Sequence, residues 1–436
     1  MKSLYVSSLK GNDSFDGLSP KTPLRTLAAL KEKGIGAGSS IFLERGSVFE
    51  NEYLHLNVSG TATCPILITD YGEIDLPLPV INANGNGVWY QDYGCELDNK
   101  AHVYKGYVSS AVLLYDCSYI KLSNIEISNR STLIGEEYSQ ADKMDRTGVA
   151  IIAKDKGACS DITLESLIIH DVDGNVYDKH MANGGIYACA LKPEDEEKSG
   201  IARFKNLFIQ NCTVYNVSRW GIAAAYSYRH ADYATAYLNK ETFFESGNLD
   251  VVIENCTVAY AGGDAITAMY AYRPLLINNT ALSSASEMND RIYKEPKNRL
   301  GKVAAGIWSW KCLDSLITHN FVSDTRLNQD GMAYDADSGD HAIYKRNFSY
   351  LNEGGAMMIC LEEAVNSQFI DNISFDDLSG TISPANCPNG HFEGNSFYVR
   401  EGIPFKRSRM SGGTYTEKNN KVVKIKDGDE PTKLLK

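Results

Sequence analysis

The sequence predicts an all-β chain that winds as a parallel β-solenoid with capped ends. A short phrase beginning with asparagine recurs along its 436 residues, at steps of 44, 24, 41, 27, 25 and 23 residues. The two long steps fit one coil plus a loop. Short β-rich runs that repeat at this period, without helices between them, are typical of parallel β-solenoids. The asparagines are Asn211, Asn255, Asn279, Asn320, Asn347, Asn372 and Asn395.

The recurring asparagines also predict an internal ladder. In a parallel solenoid, identical residues of successive coils stack at a spacing of roughly 4.8 Å. The side-chain amide of each asparagine can then bond to the asparagine of the next coil. We therefore expect one bend of each coil to hold a stacked, inward asparagine.

Composition narrows the classes of partner and compartment. A balance of 43 basic against 55 acidic residues gives a net charge of −12, which argues against nucleic acid or an anionic membrane as a partner. No apolar run approaches the roughly 18 residues that cross a bilayer, and the first residues lack the apolar core of a signal peptide. As written, the chain is expected to be cytoplasmic, or secreted or periplasmic if a signal was removed. The ten cysteines lie singly, which predicts reduced core thiols rather than a zinc site.

The first fifty residues carry a recognisable arrangement. A strand ends at Tyr5-Val6-Ser7, a turn rich in Gly, Asn and Asp follows, and Pro23-Leu24-Arg25-Thr26 leads a short helix before the strand-like run 41–46. This resembles the beginning of right-handed parallel β-helix proteins that act on carbohydrates. The resemblance implies a right-handed β-helix over 41–411, an N-terminal strand and capping helix over 1–40, and a C-terminal cap and tail over 412–436.

One coil resembles a narrower group. The run Gly331-Met332-Ala333-Tyr334-Asp335 is similar to the nucleophile strand of parallel β-helix glycosidases, among them the β-xylosidases of glycoside hydrolase family 120. The resemblance implies an aspartate nucleophile on one coil and a glutamate acid/base on the next. Cys360, or Ile359 after a shift of one residue, stands where that glutamate would be. The sequence thus departs from the family pattern at the second carboxyl group.

The register of the strands decides which acids meet. If Ser309, Tyr334 and Ile359 point inward, their alternates face outward. We then expect Asp337 and Glu362 to stack at about 5 Å, with Asp335 roughly 8 Å from Glu362. A retaining glycosidase places its carboxyl groups about 5–5.5 Å apart and an inverting one about 6.5–9.5 Å, so the stereochemistry stays open. Carboxyl groups this close are also expected to divide into a general acid and an ionised partner. The outward sets are Trp308, Trp310 and Cys312; Ala333, Asp335 and Asp337; and Met358, Cys360 and Glu362.

Further residues are candidates around these acids. Glu353 is a second candidate acid/base, and Trp308 and Trp310 offer a flat apolar face for a sugar ring. We also expect contacts with substrate from Asp330, Asp264 and Arg273, and walls formed by loops 191–200, 226–248 and 284–303. A role of Asp340 in the bend is the alternative to a functional one.

Three functions remain open at this point. The first is a glycoside hydrolase without a cofactor, acting on an oligo- or polysaccharide through Asp335, Asp337 and Glu362. The second is a calcium-dependent polysaccharide lyase, because clustered carboxylates suit a hard cation. The third is a non-catalytic carbohydrate-binding or tailspike-like protein. A monomer and a homo-oligomer are both compatible with the sequence, and sugar, linkage and exo or endo action are not specified.

Overall fold

A computed structural model describes residues 2–100, 102–130, 144–288, 303–407 and 411–434. The chain is a right-handed parallel β-helix, as predicted, and it divides into two compact units, 1–228 and 229–436. Each unit contains three parallel sheets, here called A, B and C, and each coil adds strands to them in turn. In the described part of the chain, no helix is both long and apolar enough to cross a membrane.

In the first unit, sheet A contains β1 (Lys2–Val6), β2 (Ser39–Glu44), β5 (Ile66–Tyr71), β9 (Ile120–Ser123), β12 (Ala158–Glu165) and β15 (Arg203–Gln210). Sheet B contains β3 (Val48–Glu50), β6 (Val80–Asn82), β10 (Glu126–Asn129), β13 (Ile168–Val172) and β16 (Thr213–Val217). Sheet C contains β4 (Leu54–Leu56), β8 (Lys105–Tyr115), β11 (Asp145–Ala153), β14 (Gly184–Ala190) and β17 (Trp220–Ser227). An additional strand, β7 (Val88–Asp92), pairs antiparallel with β8.

In the second unit, sheet A contains β18 (Asn248–Glu254), β22 (Leu275–Ile277), β25 (Leu316–Thr318), β28 (Ile343–Lys345), β31 (Gln368–Ile370), β34 (Gly390–Glu393) and β36 (Tyr415–Lys418), and β21 (Ala271–Tyr272) also pairs with β18. Sheet B contains β19 (Thr257–Ala261), β23 (Thr280–Leu282), β26 (Phe321–Ser323), β29 (Phe348–Tyr350), β32 (Ile373–Phe375), β35 (Ser396–Arg400) and β37 (Lys421–Ile425). Sheet C contains β20 (Ile266–Met269), β24 (Ile307–Trp310), β27 (Tyr334–Asp337), β30 (Met357–Cys360) and β33 (Ile382–Ala385).

Helices are short and lie between coils. The α-helices are α1 (Glu196–Ser199), α2 (Lys240–Ser246) and α3 (Pro431–Leu434), and 3₁₀ turns cover Ala28–Lys33 and His230–Tyr233. The N-terminal β1 pairs with β2, and β36 and β37 extend sheets A and B past residue 412. The first and last strands therefore pair with strands of the neighbouring coils, and the domain limits of 41 and 411 stay a prediction. The cysteines form no disulfide in the described part of the chain, and eight of the ten are buried.

The asparagine ladder exists at the corner between sheets A and B. The side-chain Nδ2 of Asn320 donates to Asn347 Oδ1 at 3.0 Å, and Asn347 repeats the bond to Asn372 at 3.0 Å. Asn372 continues it to Asn395 at 2.9 Å, and Asn395 continues it to Asn420 at 3.0 Å. These asparagines satisfy the backbone groups that the bend would otherwise leave buried and unpaired.

The prediction is wrong for the two earliest asparagines. Asn211 and Asn255 have left-handed backbone conformations, with φ of 54° each, and are exposed. The inward position that follows each of them holds a buried cysteine instead, Cys212 and Cys256. The backbone N–H of Cys256 donates to Asn279 Oδ1 at 2.9 Å. The asparagine ladder therefore begins one coil later, at Asn279.

The interior of the second unit is filled by stacked aromatic rings. Tyr344 stacks on Phe369 with ring centroids 4.6 Å apart, and Phe369 stacks on Phe392 at 5.4 Å. Tyr334 meets Tyr344 edge to face at 6.1 Å, and its hydroxyl donates to the carbonyl of Asn320 at 2.9 Å. This packing fixes which side chains of β27 point inward. The alternate residues of β27, Asp335 and Asp337, therefore point to the outer face of sheet C.

Candidate active site

Strand β27 carries two aspartates on the outer face of sheet C, and its register sets their neighbours. Asp335 lies beside Trp308 of β24 and Met358 of β30. Asp337 lies beside Trp310 and Cys360 on the same two strands. On the outer face, each aspartate thus lies between a tryptophan of β24 and a sulfur-containing residue of β30.

The expected stacking of Asp337 on Glu362 is wrong. The sequence-based register assumed equal coils, but 27 residues separate Trp308 from Asp335 and only 23 separate Asp335 from Met358. Strand β30 ends at Cys360, and Leu361 turns the chain with φ of 72°. Glu362 therefore lies beyond the strand, exposed to solvent, and Cys360 takes the position beside Asp337.

The two aspartates and Cys360 form a compact group. One carboxylate oxygen of Asp335, one of Asp337 and the Sγ of Cys360 all lie within 4.8 Å of one another. Asp335 is only 4% exposed and Cys360 8%, whereas Asp337 is half-buried. Ser338 Oγ donates to Asp337 Oδ1 at 2.8 Å. Asp337 is therefore the carboxylate that a substrate can reach most easily.

The tryptophans of β24 differ in exposure. Trp308 is 3% exposed and packs within the fold, whereas Trp310 beside Asp337 is half-buried. The ring centroid of Trp310 lies 5.4 Å from that of Tyr270, which in turn lies 5.3 Å from Tyr233. Trp310 is thus held by an aromatic row and still presents part of its surface next to the carboxylates. This arrangement suits a sugar ring stacked beside the reacting group.

Loop 226–248, one of the three expected walls, contacts the coil that carries β27. The amide N–H of Leu238 donates to Asp340 Oδ2 at 3.2 Å, and Asn366 Nδ2 donates to Asp340 Oδ1 at 2.8 Å. Asp340 therefore ties the segment before α2 to the coil that carries β27, as the alternative reading of this residue predicts. Loop 191–200 contains α1 in the first unit. Most of the third loop, 289–302, lies outside the described residues.

Two residues expected to contact substrate have other surroundings. Asp264 is 1% exposed, and its Oδ1 accepts a hydrogen bond from the Ala305 amide at 2.9 Å. It stabilises the next coil from within, so the prediction that it lines a cleft is wrong. Arg273 lies exposed in the turn between β21 and β22 with φ of 54°. Its proposed contact with substrate stays a prediction.

Asp330 lies in the loop before β27, and Glu353 lies one coil later, between β29 and β30. Glu353 Oε1 pairs with Arg326 Nη1 at 2.8 Å, and its Oε2 accepts from the Leu327 amide at 2.7 Å. The carboxylate of Glu353 is therefore committed to the neighbouring loop and does not extend over the outer face of sheet C as expected. Asp330 is half-buried in that loop, and its amide donates to Asn328 Oδ1 at 2.8 Å.

A second pair of aspartates, which no motif in the sequence indicated, lies in the first unit. Asp145 Oδ1 accepts from the Asn175 amide at 3.2 Å, and Asp145 and Asp178 share a side-chain hydrogen bond. Burial raises the pKa of Asp145 well above its usual value, and the charge of Asp178 adds to this rise. Burial also raises the pKa of Asp178 to about 6, against the lowering effects of its bond to Asp145 and of the Arg219 charge.

Comparisons with known proteins identify the family. The chain is 38% identical to a lacto-N-biosidase of Bifidobacterium longum subsp. longum over 95% of its length, and it spans 28% of that protein. It is 52% identical to the crystal structure of a lacto-N-biosidase of glycoside hydrolase family 136 from Eubacterium ramulus, with a TM-score of 0.95. That match covers 97% of this chain and 68% of the other.

More distant structures share only the fold. A rhamnogalacturonan lyase is 12% identical, with a TM-score of 0.52 over 96% of this chain. No family model matches the sequence. The match to the Eubacterium ramulus enzyme confirms the resemblance to β-helix glycosidases. The narrower resemblance to family 120 is wrong, because that enzyme belongs to family 136. The chain belongs to glycoside hydrolase family 136, the family of the Eubacterium ramulus lacto-N-biosidase.

Proposed function

We propose that this chain is the β-helix of a glycoside hydrolase that releases a lacto-N-bioside unit from an oligosaccharide. The proposal rests on the group formed by Asp335 and Asp337 beside Trp310, and on the identity to two lacto-N-biosidases. Paired carboxyl groups are the usual means of glycosidic cleavage. The chain spans only part of the Bifidobacterium protein, so the activity of the whole protein is part of the proposal.

In the proposed reaction, Asp337 is the nucleophile. Its carboxylate is half-buried and lies beside the partly exposed face of Trp310, where the anomeric carbon of a stacked sugar would come within reach. Attack by a carboxylate oxygen on that carbon breaks the bond to the leaving oxygen, which takes a proton from a general acid. Water then attacks the same carbon and returns the carboxylate, giving net retention of configuration.

Asp335 is the first candidate for the general acid. Its oxygen lies within 4.8 Å of one of Asp337, close to the spacing of retaining enzymes. Asp330 is the second candidate, because it is more exposed than Asp335 and stands in the loop that leads into β27.

An aryl lacto-N-bioside tests the assignment. Replacing Asp337 with Asn is expected to abolish turnover. Replacing the general acid is expected to slow cleavage of poor leaving groups far more than that of activated aryl groups, because only the former need protonation. The same comparison on Asp335→Asn and Asp330→Asn identifies the acid. Full activity of Asp337→Asn would remove Asp337 from the chemistry.

The calcium-dependent lyase is not favoured. The group at β27 includes the Cys360 thiol, whereas calcium prefers oxygen ligands. We propose that the hydrolase needs no cofactor. Activity that survives exhaustive treatment with a chelator, with no ultraviolet-absorbing unsaturated product, is the expected result.

A further inference from the structure

We propose that Glu353 and Arg407 are positioning residues, which together hold the loop 326–331 in front of the catalytic strand β27. The inference rests on the proposed function and deepens it. It gives Glu353 a role other than the acid/base role suggested by the sequence. The two side chains come from different coils and bind the same short loop at separate points.

Glu353 holds the beginning of the loop. Its two carboxylate oxygens take different partners, Arg326 Nη1 at 2.8 Å and the Leu327 amide at 2.7 Å. The ion pair alone is half-exposed, with side-chain exposures of 52% and 34%, and such pairs contribute little. The bond to a backbone amide is charge-assisted and fixes the main chain directly.

Arg407 holds the middle of the loop. Its side chain is only 4% exposed, and Nη2 donates to the carbonyl oxygen of Gln329 at 2.8 Å. Its own amide donates to the carbonyl of Ile382 in β33 at 3.0 Å, which anchors it to sheet C. A buried guanidinium bonded to a carbonyl next to Asp330 limits where the Asp330 backbone can lie.

The end of the loop packs against the next coil without room for adjustment. A Cβ atom at Gly354 would lie 2.0 Å from the Asp330 carbonyl oxygen, and Gly354 N–H donates to the Gly331 carbonyl at 2.8 Å. Gly331 itself has φ of 77°, a conformation that favours glycine. The loop is thus closed by backbone contacts at one end and by Glu353 and Arg407 elsewhere.

These contacts matter for the reaction because β27 begins three residues after Gly331. A displacement of about 1 Å in a reacting group can lower the rate on the order of 100-fold. If the contacts that Glu353 and Arg407 make with loop 326–331 are lost, the loop and the start of β27 shift relative to Trp310. We therefore expect losses mainly in kcat rather than in KM.

The test compares Glu353→Ala, Glu353→Gln and Arg407→Lys with a matched control, Asp376→Asn. Asp376 forms a similar inter-coil pair with Arg400 at 2.8 Å, on sheet B of the same unit. On an aryl lacto-N-bioside, Glu353→Ala and Arg407→Lys are expected to lower kcat by about 10- to 100-fold. Glu353→Gln keeps an acceptor for the Leu327 amide and should recover most of the loss. Asp376→Asn should leave kcat within about twofold, because the Asp376–Arg400 pair lies on sheet B and takes no part in the contacts that hold loop 326–331.

Hydrogen exchange measures how firmly loop 326–331 is held, independently of activity. The amides of 326–331 should exchange faster in Glu353→Ala and Arg407→Lys than in the wild type, and at the wild-type rate in Asp376→Asn. Unchanged exchange, or faster exchange with unchanged kcat, would overturn the inference. A wild-type chain that cleaves no glycoside overturns the proposed function instead. The exchange rates then decide whether Glu353 and Arg407 hold loop 326–331.

Discussion

Two pairs of neighbouring aspartates, one in each unit, differ in what surrounds them. Asp145 and Asp178 in the first unit bond to each other and to the Asn175 backbone, inside a loop network. Asp335 and Asp337 in the second unit lie side by side on the outer face of a strand, and Asp337 remains half-buried beside Trp310. Two close carboxyl groups alone therefore do not identify a reaction centre. We base the proposed site on the partly exposed ring of Trp310 beside Asp337.

Replacing one aspartate from each pair should give opposite results, and this is the largest expected effect. Asp337→Asn removes the proposed nucleophile, and losses of nucleophiles in hydrolases are on the order of 10³-fold or more in kcat. Asp178→Asn should leave kcat within about threefold, because the proposed reaction uses no group of the first-unit pair. Steady-state kinetics on an aryl lacto-N-bioside measures both. Equal losses in the two variants would break the distinction between the pairs.

The two tryptophans of β24 sharpen the same comparison. Trp310→Ala removes a partly exposed ring beside Asp337 and should raise KM by about 10-fold, the equivalent of about 1.4 kcal/mol. Trp308→Ala removes a ring that is 3% exposed and should lower the free energy of unfolding by about 3–5 kcal/mol. Kinetics together with urea unfolding separates the two effects. A larger KM for Trp308→Ala than for Trp310→Ala would contradict the proposed sugar platform.

The hydrogen-bonded pair of the first unit predicts a pH-dependent stability. Because the pKa of Asp178 is raised to about 6 in the folded chain, the folded state binds its proton more tightly than the unfolded state. Its contribution is therefore most favourable below the unfolded pKa of about 3.9 and declines as pH rises toward 6. The loss is on the order of 2 kcal/mol. Asp178→Asn should flatten the unfolding free energy between pH 4 and 7, and an unchanged slope would exclude the pair as its source.

A smaller effect distinguishes the asparagines inside the ladder from those outside it. Asn347→Ala leaves the Asn320 amide and the Ile317 carbonyl without their partners, and such losses cost about 1–3 kcal/mol. Asn255→Asp keeps a residue that tolerates the left-handed conformation at an exposed position, and should cost less than about 0.5 kcal/mol. Thermal unfolding of both variants checks this order.

The sequence predicted the fold and most of the ladder, because both depend on a period that is visible in the residues. It did not predict the register on sheet C, since the loops between sheets B and C change length from coil to coil. An error of two residues in that register placed Glu362 beside Asp337, where the structure has Cys360. It also did not distinguish Trp308 from Trp310, because packing around a strand, rather than alternation along it, sets their exposure. The close approach of Asp335 and Asp337 was predictable, since both belong to one short strand.

Rescue by azide tests the role of the β27 aspartates most directly. A small anion can enter the space left by Asp337→Asn and attack the anomeric carbon in place of the carboxylate. We predict that Asp337→Asn is inactive on an aryl lacto-N-bioside, and that azide restores release of the aryl group with a glycosyl azide of inverted configuration. An Asp337→Asn variant that turns over at the wild-type rate without azide would contradict the assignment.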